Sequence, residues 1–438
     1  IIVTPMSRKW FTFFVCALIF VIPTNLFLSF PTGAEFIGGL RIDYLIPKLF
    51  LSDIVAAILI ISFTIWQKTK VRLHIPSKKK RVGLYLSLLA VTLCVSVQFF
   101  TEANLISVIS LIRTGMFISL MLILLQLDKI IEKSLVFLSI TGTILFQSFV
   151  AWHQWLTQSS VYGYTFFGEP NFHIPLGLAK TAWQGREMIL PYGTTAHPNV
   201  LGGITAVFLI VLLKQVIDRS PGGRWQRVLT LMVGVAGFGT LLLTQSLSAL
   251  LGFVGGVGLL LLEGFVNKKI RSLLHIEAKY FIILLAVLSA AAVLALNMLS
   301  SSSSANDSVL RRERLNTAAL SMIYQHPLIG VGFSNSTIYL DQSVSHGKVI
   351  VPFLQPTHNV VLLFLAEAGI LGLVTLLGIP RILHFLGLKE DEIGWFSTKL
   401  PIVLLLFLPI AALDHYLITL QSGMLLIAVA PFLFTKIA

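Results

Sequence analysis

The sequence predicts an all-α membrane protein with about twelve transmembrane helices and a long extracytoplasmic loop that carries an amphipathic helix. Of the 438 residues, 56% are hydrophobic and only 12% are charged, whereas soluble globular proteins carry about 25% charged residues. The apolar residues form long runs, and the charged residues stand between these runs in short basic clusters. Most of the protein surface is therefore expected to face lipid.

The length of the apolar runs gives the predicted helices. A helix needs about 20 apolar residues to cross the hydrocarbon layer, and twelve stretches meet or approach this length: Trp10–Phe30, Leu49–Trp66, Val82–Phe100, Ile106–Leu125, Ser134–Leu156, Ala196–Val216, Val228–Leu243, Ser246–Val266, Tyr280–Leu299, His358–Pro380, Thr398–Leu413 and Tyr416–Phe434. The first run lacks a small-residue cleavage site, so it is predicted to be a retained helix. Residues 1–438 are interpreted as a single polytopic membrane domain.

The positions of Lys and Arg predict the orientation, because cationic loops resist translocation. With the N-terminus inside, 23 Lys and Arg residues fall in inner segments and 8 in outer segments. Both termini are therefore predicted to be cytoplasmic, in a bacterial inner membrane. The net charge of +13 is attributed to this orientation signal, and no nucleic-acid partner is expected. The two cysteines both fall in apolar runs, which argues against a disulfide framework.

The long outer loop at residues 300–357, between predicted helices nine and ten, contains a predicted amphipathic helix over Val309–Gln325. At about 100° per residue, its apolar stripe consists of Leu315, Ala319, Met322 and Ile323. Such a helix is expected to lie on the membrane surface or to pack on the helix bundle.

Three arginines belong to this predicted helix. Arg311 and Arg312 flank the apolar stripe, whereas Arg314 points more nearly away from it. A guanidinium group can hold a phosphate through two parallel hydrogen bonds. The alternative interpretation is that these side chains extend to lipid headgroups, as is common in basic amphipathic helices.

Polar residues from distant parts of the chain are predicted to meet at the outer face. His358 lies where the long loop ends, and its imidazole can act as a base near neutral pH; a capping or interfacial role is the alternative. Two further outer turns are expected to reach the same face. Together they indicate one site that contains His197, Asn199, Arg311, Arg312, His358, Asp414 and His415.

Several other polar residues have structural interpretations. Pro327 ends the amphipathic helix, and the glycines of the segment His326–Gly332 permit a tight turn. Glu367 is interpreted as a helix–helix hydrogen-bonding residue. Arg113 lies inside the fourth predicted helix, so it must pair, for instance with Glu102, or face an aqueous cleft. Zinc-binding spacings, a P-loop and a dinucleotide motif are all missing, so neither a metal nor a cofactor is predicted.

Five ordered blocks resemble the O-antigen ligase and O-antigen polymerase superfamily. They are the stretch from Arg312 to Gly332, the pair His358-Asn359, the sequence LAEAGILGL at Leu365–Leu373, GTTAHPNVLGG at Gly193–Gly203 and TQSLSALLG at Thr244–Gly252. The resemblance extends from about Tyr162 onward.

This resemblance implies a membrane glycosyltransferase that acts at the outer face of the inner membrane. Such an enzyme moves a glycan from a polyprenyl-diphosphate-linked oligosaccharide donor to a glycan or lipid acceptor, by metal-independent, inverting transfer. Arg312 would grip the diphosphate, assisted by Arg311 or Arg314. His358 would be the base or would position the acceptor, with Asn359 as a hydrogen-bonding neighbour. The other substrate-binding candidates are His197, Asn199, Arg186, Asp414 and His415.

The chain departs from the family pattern at two positions. The family often has arginine where this chain has Leu247, and another arginine just before the YGT segment, where this chain has Leu190 and Pro191. Arg186 is the candidate substitute. Two other functions are compatible with the helix count. A transporter or flippase for a solute or lipid-linked glycan should have a polar site near the midplane and two related halves, and a scaffold subunit would have a degenerate site.

Overall fold

The computed structural model describes residues 5–37, 39–67, 78–102, 104–127, 130–173, 177–218, 224–266, 303–344, 354–385, 403 and 406–436. These parts of the chain are mostly helical. The helices are Pro5–Val21, Leu51–Gln67, Lys78–Val97, Asn104–Leu127, Lys133–Thr157, Pro198–Asp218, Arg224–Leu243, Leu247–Val266, Ser303–Gln325, Ser336–Val344, Val360–Phe385, 406–413, Tyr416–Thr419 and Gln421–Lys436.

Helix length and composition agree with a membrane protein. Among the described residues, four helices are long and apolar enough to cross a bilayer, namely Leu105–Leu127, Lys133–Thr157, Pro198–Val216 and Val360–Ile379. Shorter apolar helices occupy Leu51–Gln67, Leu84–Phe100, Val228–Leu243, Leu247–Leu260 and Gln421–Phe434. The total of twelve stays a prediction, since the expected span Tyr280–Leu299 lies outside the described residues.

Two predicted spans are wrong in their bounds. The first was expected to run to Phe30, but its helix ends at Val21, where Pro23 lacks an N–H and the Thr24 hydroxyl donates to the Val21 carbonyl at 2.9 Å. The last was expected to be continuous, but Leu420 has an extended backbone and separates Tyr416–Thr419 from Gln421–Lys436.

The predicted all-α class is consistent with the mostly helical structure, in which the described residues also contain three short antiparallel strand pairs. These are Phe27–Ser29 with Lys48–Phe50, Phe36–Ile37 with Leu40–Arg41, and Lys180–Trp183 with Arg186–Ile189. Each strand has two to four residues, which is too short for the alternation of side chains that identifies strands in a sequence.

The helix Pro198–Asp218 lies at the centre of the bundle. In its most apolar stretch, 83% of the residues are buried, whereas in the most apolar stretch of Leu105–Leu127 only 22% are buried. It packs against Lys133–Thr157, Arg224–Leu243, Leu247–Val266 and Gln421–Lys436. The beginning of this helix is therefore held in place from several sides, and the residues that precede it include His197.

The helix Val360–Phe385 is kinked at Gly369, and the segment His326–Gly332 fits into the kink. Gly369 has a φ of 58° and a ψ of −162°, which is not helical. The Ile370 N–H donates to the Pro327 carbonyl at 3.0 Å, and the Val331 N–H donates to the Ala366 carbonyl at 2.9 Å. Two segments that resemble separate family blocks are thus joined by backbone hydrogen bonds, and we call this contact the kink interlock.

We expect the Gly369→Ala substitution to destabilise the protein by about 1–3 kcal/mol, because this backbone conformation is nearly restricted to glycine. A Cβ atom at this position would also lie 2.6 Å from the backbone carbon of Leu328. The measurement is thermal unfolding in lipid nanodiscs. The control is Gly142→Ala, since Gly142 is helical and has open space around it. Equal unfolding temperatures for the two variants would show that the kink interlock is not constrained as described.

Candidate active site

Five of the residues predicted to share a site line one cavity of about 500 Å³. These residues are His197, Asn199, His358, Asp414 and His415. They come from three chain segments that are far apart in the sequence. The structure therefore brings together five of the seven residues that were predicted to converge, whereas Arg311 and Arg312 do not line the cavity. We call the wall formed by the five residues the histidine cluster.

The predicted amphipathic helix is part of the longer helix Ser303–Gln325, which we call the arginine helix. Its apolar stripe packs as expected, because Leu315, Ala319 and Met322 are buried and Ile323 packs against them. The Thr357 hydroxyl donates to the Leu315 carbonyl at 3.0 Å. Leu315 lies about one turn beyond Arg312 and Thr357 immediately precedes His358, so this bond fixes the arginine helix beside the histidine cluster.

The three arginines differ in exposure in the way that the periodicity predicts. Arg311 and Arg312 are half-buried, whereas Arg314 is exposed. Arg312 is close enough to His358 for its positive charge to contribute to the lowered pKa of that imidazole. Within the part of the chain that is described, no hydrogen bond or ion pair engages the Arg312 guanidinium, so its donors are free to bind an anion.

His358 is held at the start of the kinked helix. The Asn359 side-chain oxygen accepts hydrogen bonds from the N–H groups of Val361 and Leu362, both at 3.0 Å, which is the geometry of a helix N-cap. The His358 ring lies almost perpendicular to the His415 ring, with centroids 4.8 Å apart. Its Nδ1 is buried and has no hydrogen-bond partner among the described residues.

The histidines of the cluster are neutral at physiological pH. Burial is the main cause that lowers the pKa of His358 to about 3, and the neighbouring His415 adds to the effect. Burial also lowers the pKa of His415 to about 3, and it lowers the pKa of His197 from its ordinary value. A neutral imidazole has one nitrogen that can accept a proton.

Asp414 connects the cluster to the centre of the bundle. One of its oxygens accepts a hydrogen bond from the Asn199 side-chain amide at 2.6 Å, and the other accepts one from the His415 backbone N–H at 2.8 Å. The His415 Nδ1 lies 2.6 Å from the Thr419 hydroxyl. These bonds fix both the carboxylate and the His415 ring in the cavity wall.

His197 has a structural role as well as a place in the cavity. Its Nδ1 accepts a hydrogen bond from the Asn199 N–H at 3.1 Å, and Pro198 occupies the first position of the helix that follows. Because Nδ1 is an acceptor here, the proton of the neutral ring is on Nε2. His197 therefore offers a hydrogen-bond donor rather than a base.

Three residues of the cluster are also suitably placed to ligate a cation. His358, Asp414 and His415 each offer a ligand atom, and these atoms lie within 4.8 Å of one another. Two neutral imidazoles and a carboxylate are ligands that divalent transition metals accept. The sequence predicted no metal, and this stays a prediction.

Sequence reasoning missed the residues that hold the turn before His197. The Gln154 side chain accepts from the N–H groups of Tyr192 and Gly193, both at 2.8 Å, and donates to Glu169 at 2.9 Å. Gln147 accepts from the Thr194 N–H at 3.0 Å. Two amides seven residues apart on one face of an apolar helix were the available signal, since buried polar groups need partners.

The Glu102 partner suggested for Arg113 is not the one that the structure shows. Arg113 instead donates to Asp53 at 3.1 Å and to the Lys48 carbonyl at 2.6 Å. Arg113 also lines the same cavity as the histidine cluster.

The remaining predicted residues lie outside the cavity wall. Arg186 is exposed in the hairpin strand Arg186–Ile189, so it is not placed where the cavity needs a replacement arginine. Leu247 begins the helix Leu247–Val266. Glu367 accepts a hydrogen bond from the Ser336 hydroxyl at 2.8 Å, which confirms its role between helices. His326 packs against Tyr339, with ring centroids 5.6 Å apart.

The fold and the site together define a mostly helical membrane protein with a polar, histidine-lined cavity. A family model described as O-antigen ligase matches residues 231–377. The match confirms the resemblance to the O-antigen ligase superfamily, whose members are glycan-transferring enzymes. It includes Arg312 and His358, whereas His197 and Asp414 lie outside it. Comparison with curated proteins gives no match.

Proposed function

We propose that the protein transfers or polymerises a polyprenyl-diphosphate-linked glycan onto a glycan or lipid acceptor, at the outer face of the bacterial inner membrane. The observation that carries this proposal is the position of Arg312 beside His358, fixed by the hydrogen bond from Thr357 to Leu315 and lying within the O-antigen ligase match. A base that lines the cavity thus lies close to a half-buried arginine.

The proposed reaction is an inverting substitution at the anomeric carbon of the donor sugar. The acceptor hydroxyl oxygen forms a bond to this carbon while the bond from the carbon to the diphosphate oxygen breaks. The hydroxyl proton passes to His358 as general base. The electron pair of the broken bond stays on the polyprenyl diphosphate, where Arg312, assisted by Arg311, stabilises the developing negative charge. No metal is required for this charge balance.

Two features of the surroundings of His358 bear on its role as a base. Burial lowers its pKa to about 3, so the ring is neutral and unprotonated at physiological pH, but the same burial makes the imidazole a weaker proton acceptor. Asp414 offers an oxygen within 4.8 Å of a His358 nitrogen, and its negative charge favours the imidazolium that forms. Asn199 and the His415 N–H hold this carboxylate in place.

The other parts of the proposal follow from the membrane setting. The polyprenyl tail would lie against the apolar outer surface of the bundle, in the lipid bilayer. Both termini would be cytoplasmic, and residues 300–357 and the cavity would then lie on the extracytoplasmic side. Neither ATP nor a nucleotide sugar is available there, so the lipid diphosphate must activate the donor sugar.

The proposal is tested with purified protein in proteoliposomes that contain an undecaprenyl-diphosphate oligosaccharide and a set of candidate acceptors. We expect a new glycosidic product and free undecaprenyl diphosphate in equal amounts. A transporter or flippase would instead move intact donor between leaflets. Recovery of chemically unchanged donor with every acceptor, together with such movement, would contradict the proposal.

We expect the transfer rate to change by less than about twofold between pH 7 and pH 5.5. An essential base with an ordinary histidine pKa of about 6.5 would lose about tenfold in rate for each pH unit below that value. Because the pKa of His358 is about 3, its ring stays neutral over this interval. The measurement is the initial transfer rate at saturating donor, and a tenfold fall by pH 5.5 would contradict the expectation.

The same low pKa values predict that, unlike the transfer rate, the free energy of unfolding depends on pH in this range. In the unfolded chain His358 and His415 take up protons below about pH 6.5, whereas in the folded protein they do so near pH 3. The unfolded state then binds more protons, so the free energy of unfolding falls as the pH drops from 6.5 toward 3. Thermal unfolding of the His358→Gln variant should show a smaller fall.

A further inference from the structure

Two cations line the same cavity as the histidine cluster. Lys48 lies in the strand Lys48–Phe50, and Arg113 lies in the helix Asn104–Leu127. Each side chain is only 17% exposed. The Arg113 guanidinium donates to the Lys48 backbone carbonyl at 2.6 Å, so the two residues are fixed next to each other. We call them the cation pair.

Several hydrogen-bond donors of Lys48 and Arg113 are not bonded to the carboxylates that these two residues contact. Within the described residues, the Lys48 ammonium has one carboxylate partner, Asp43, at 3.3 Å, and the Asp43 side chain is 77% exposed, so solvent screens this contact. Arg113 bonds to Asp53 through Nη2, and Asp53 does not line the cavity. Among the described residues, neither Nε nor Nη1 of Arg113 has a hydrogen-bond partner. The cation pair can therefore accept an additional anion.

Aromatic rings hold both cations and form part of the same wall. The Lys48 Nζ atom lies 4.7 Å from the centre of the Phe27 ring, and the Arg113 guanidinium lies 5.3 Å from the Phe50 ring. The Phe27 ring in turn contacts the Tyr164 ring at 5.6 Å. These rings offer rigid apolar faces with a polar group beside them, which is suitable for a sugar ring that carries a charge.

The cation pair adjoins the histidine cluster through Tyr44. The Tyr44 ring lies 5.6 Å from the His415 ring and is almost perpendicular to it, while its chain neighbour Asp43 is the partner of Lys48. A glycan that reaches His358 would therefore have its next groups within reach of the cation pair.

We propose that Lys48 and Arg113 form a second anion-binding subsite, which binds an oxyanion of the lipid-linked glycan that enters the cavity. The oxyanion is either an acidic substituent of the sugars or the diphosphate itself, since both present oxygens that a guanidinium and an ammonium bind. The proposal rests on the proposed function, because the glycan is the ligand.

The test is equilibrium binding to the full chain in lipid nanodiscs, with three probes. They are a trisaccharide that contains one glucuronate, the corresponding neutral glucose trisaccharide, and undecaprenyl diphosphate. The variants are Lys48→Gln and the double variant Arg113→Gln with Asp53→Asn, which avoids leaving a buried carboxylate unpaired. The matched control is Lys180→Gln, because Lys180 has a similar ion pair, 2.9 Å from Glu187, on a hairpin outside the cavity wall.

We expect both variants to bind at least one anionic probe about tenfold or more weakly, which corresponds to the loss of one charge-assisted hydrogen bond. Lys48→Arg should restore most of the binding, and Lys180→Gln should bind like the parent protein. Loss limited to the glucuronate probe identifies a sugar substituent, and loss limited to undecaprenyl diphosphate identifies the diphosphate. The proposal is overturned if neither anionic probe distinguishes the variants from the parent, or if the parent binds both no better than the neutral probe.

This experiment separates the subsite from the proposed function, because it measures binding and not transfer. If the parent protein makes no glycosidic product but the cation pair still selects an anionic probe, the proposed reaction fails and the subsite stands. If transfer occurs and the variants bind all probes like the parent, the subsite fails alone.

Discussion

Replacement of His358 by alanine is expected to lower the rate of glycan transfer by about 100-fold or more, the effect of losing a positioned general base. The physical reason is that the acceptor hydroxyl then has no group in the cavity to receive its proton in the same position. Folding should be retained, because no described residue donates a hydrogen bond to the buried His358 Nδ1, so the substitution leaves no polar partner unsatisfied there.

The measurement is the initial rate of transfer in proteoliposomes, together with the amount of protein in the membrane and the binding of undecaprenyl-diphosphate oligosaccharide. Donor binding should change little while the rate falls. The control is His173→Ala, since His173 is exposed and outside the cavity wall. Transfer at the parent rate by the His358→Ala variant would remove the assignment of this residue as the base.

Replacement of Arg312 by alanine is expected to lower the rate of transfer by about 100- to 1,000-fold, as for other groups that stabilise developing negative charge. Arg312 is half-buried beside His358, and no described residue neutralises its guanidinium. Arg312→Lys should also impair transfer, because a single ammonium cannot reproduce the two parallel hydrogen bonds of the planar group.

The control for this series is Arg381→Ala, an exposed arginine near the end of the kinked helix whose guanidinium donates to the Leu377 carbonyl at 3.3 Å. Membrane abundance and unfolding temperature should be the same for all three variants. If Arg312→Lys were as active as the parent, a point charge would suffice and bidentate binding of the diphosphate would be contradicted.

The sequence predicted burial best where the spacing of apolar residues along a single helix decides which side chains are buried. The arginine helix is an example, because a 3.6-residue period predicted both the buried stripe that contains Leu315 and the different exposures of Arg312 and Arg314. The histidine cluster was predictable as a set of residues on one face, since short turns between membrane helices place polar residues there.

The sequence was least informative where distant segments contact one another through the backbone. The kink interlock depends on Gly369 leaving the helical conformation and on Pro327 and Val331 lying beside it, and neither segment contains a local signal for the other. Capping roles were also not visible, since His197 and Asn359 use side-chain atoms to satisfy helix N–H groups. These atoms are then unavailable to a substrate. The residue types in the sequence do not reveal which of their atoms are already hydrogen-bonded.

The same limit explains the error at Arg113. A charged residue inside a membrane helix must have a partner, and Glu102 was the nearest carboxylate along the chain. The strand Lys48–Phe50 instead brings Asp53 and the Lys48 carbonyl to Arg113. Short strands of this kind have no recognisable sequence period, so the partner could not be identified before the fold was known.

The central claim, that the arginine helix and His358 work outside the cytoplasm, is tested most directly by cysteine labelling in intact cells. Thr317→Cys places a thiol on an exposed position of the arginine helix, and Lys9→Cys places one near the N-terminus. We expect a membrane-impermeant maleimide to label the Thr317→Cys variant in intact spheroplasts and the Lys9→Cys variant only after permeabilisation. Labelling of Thr317→Cys only after permeabilisation would contradict the account.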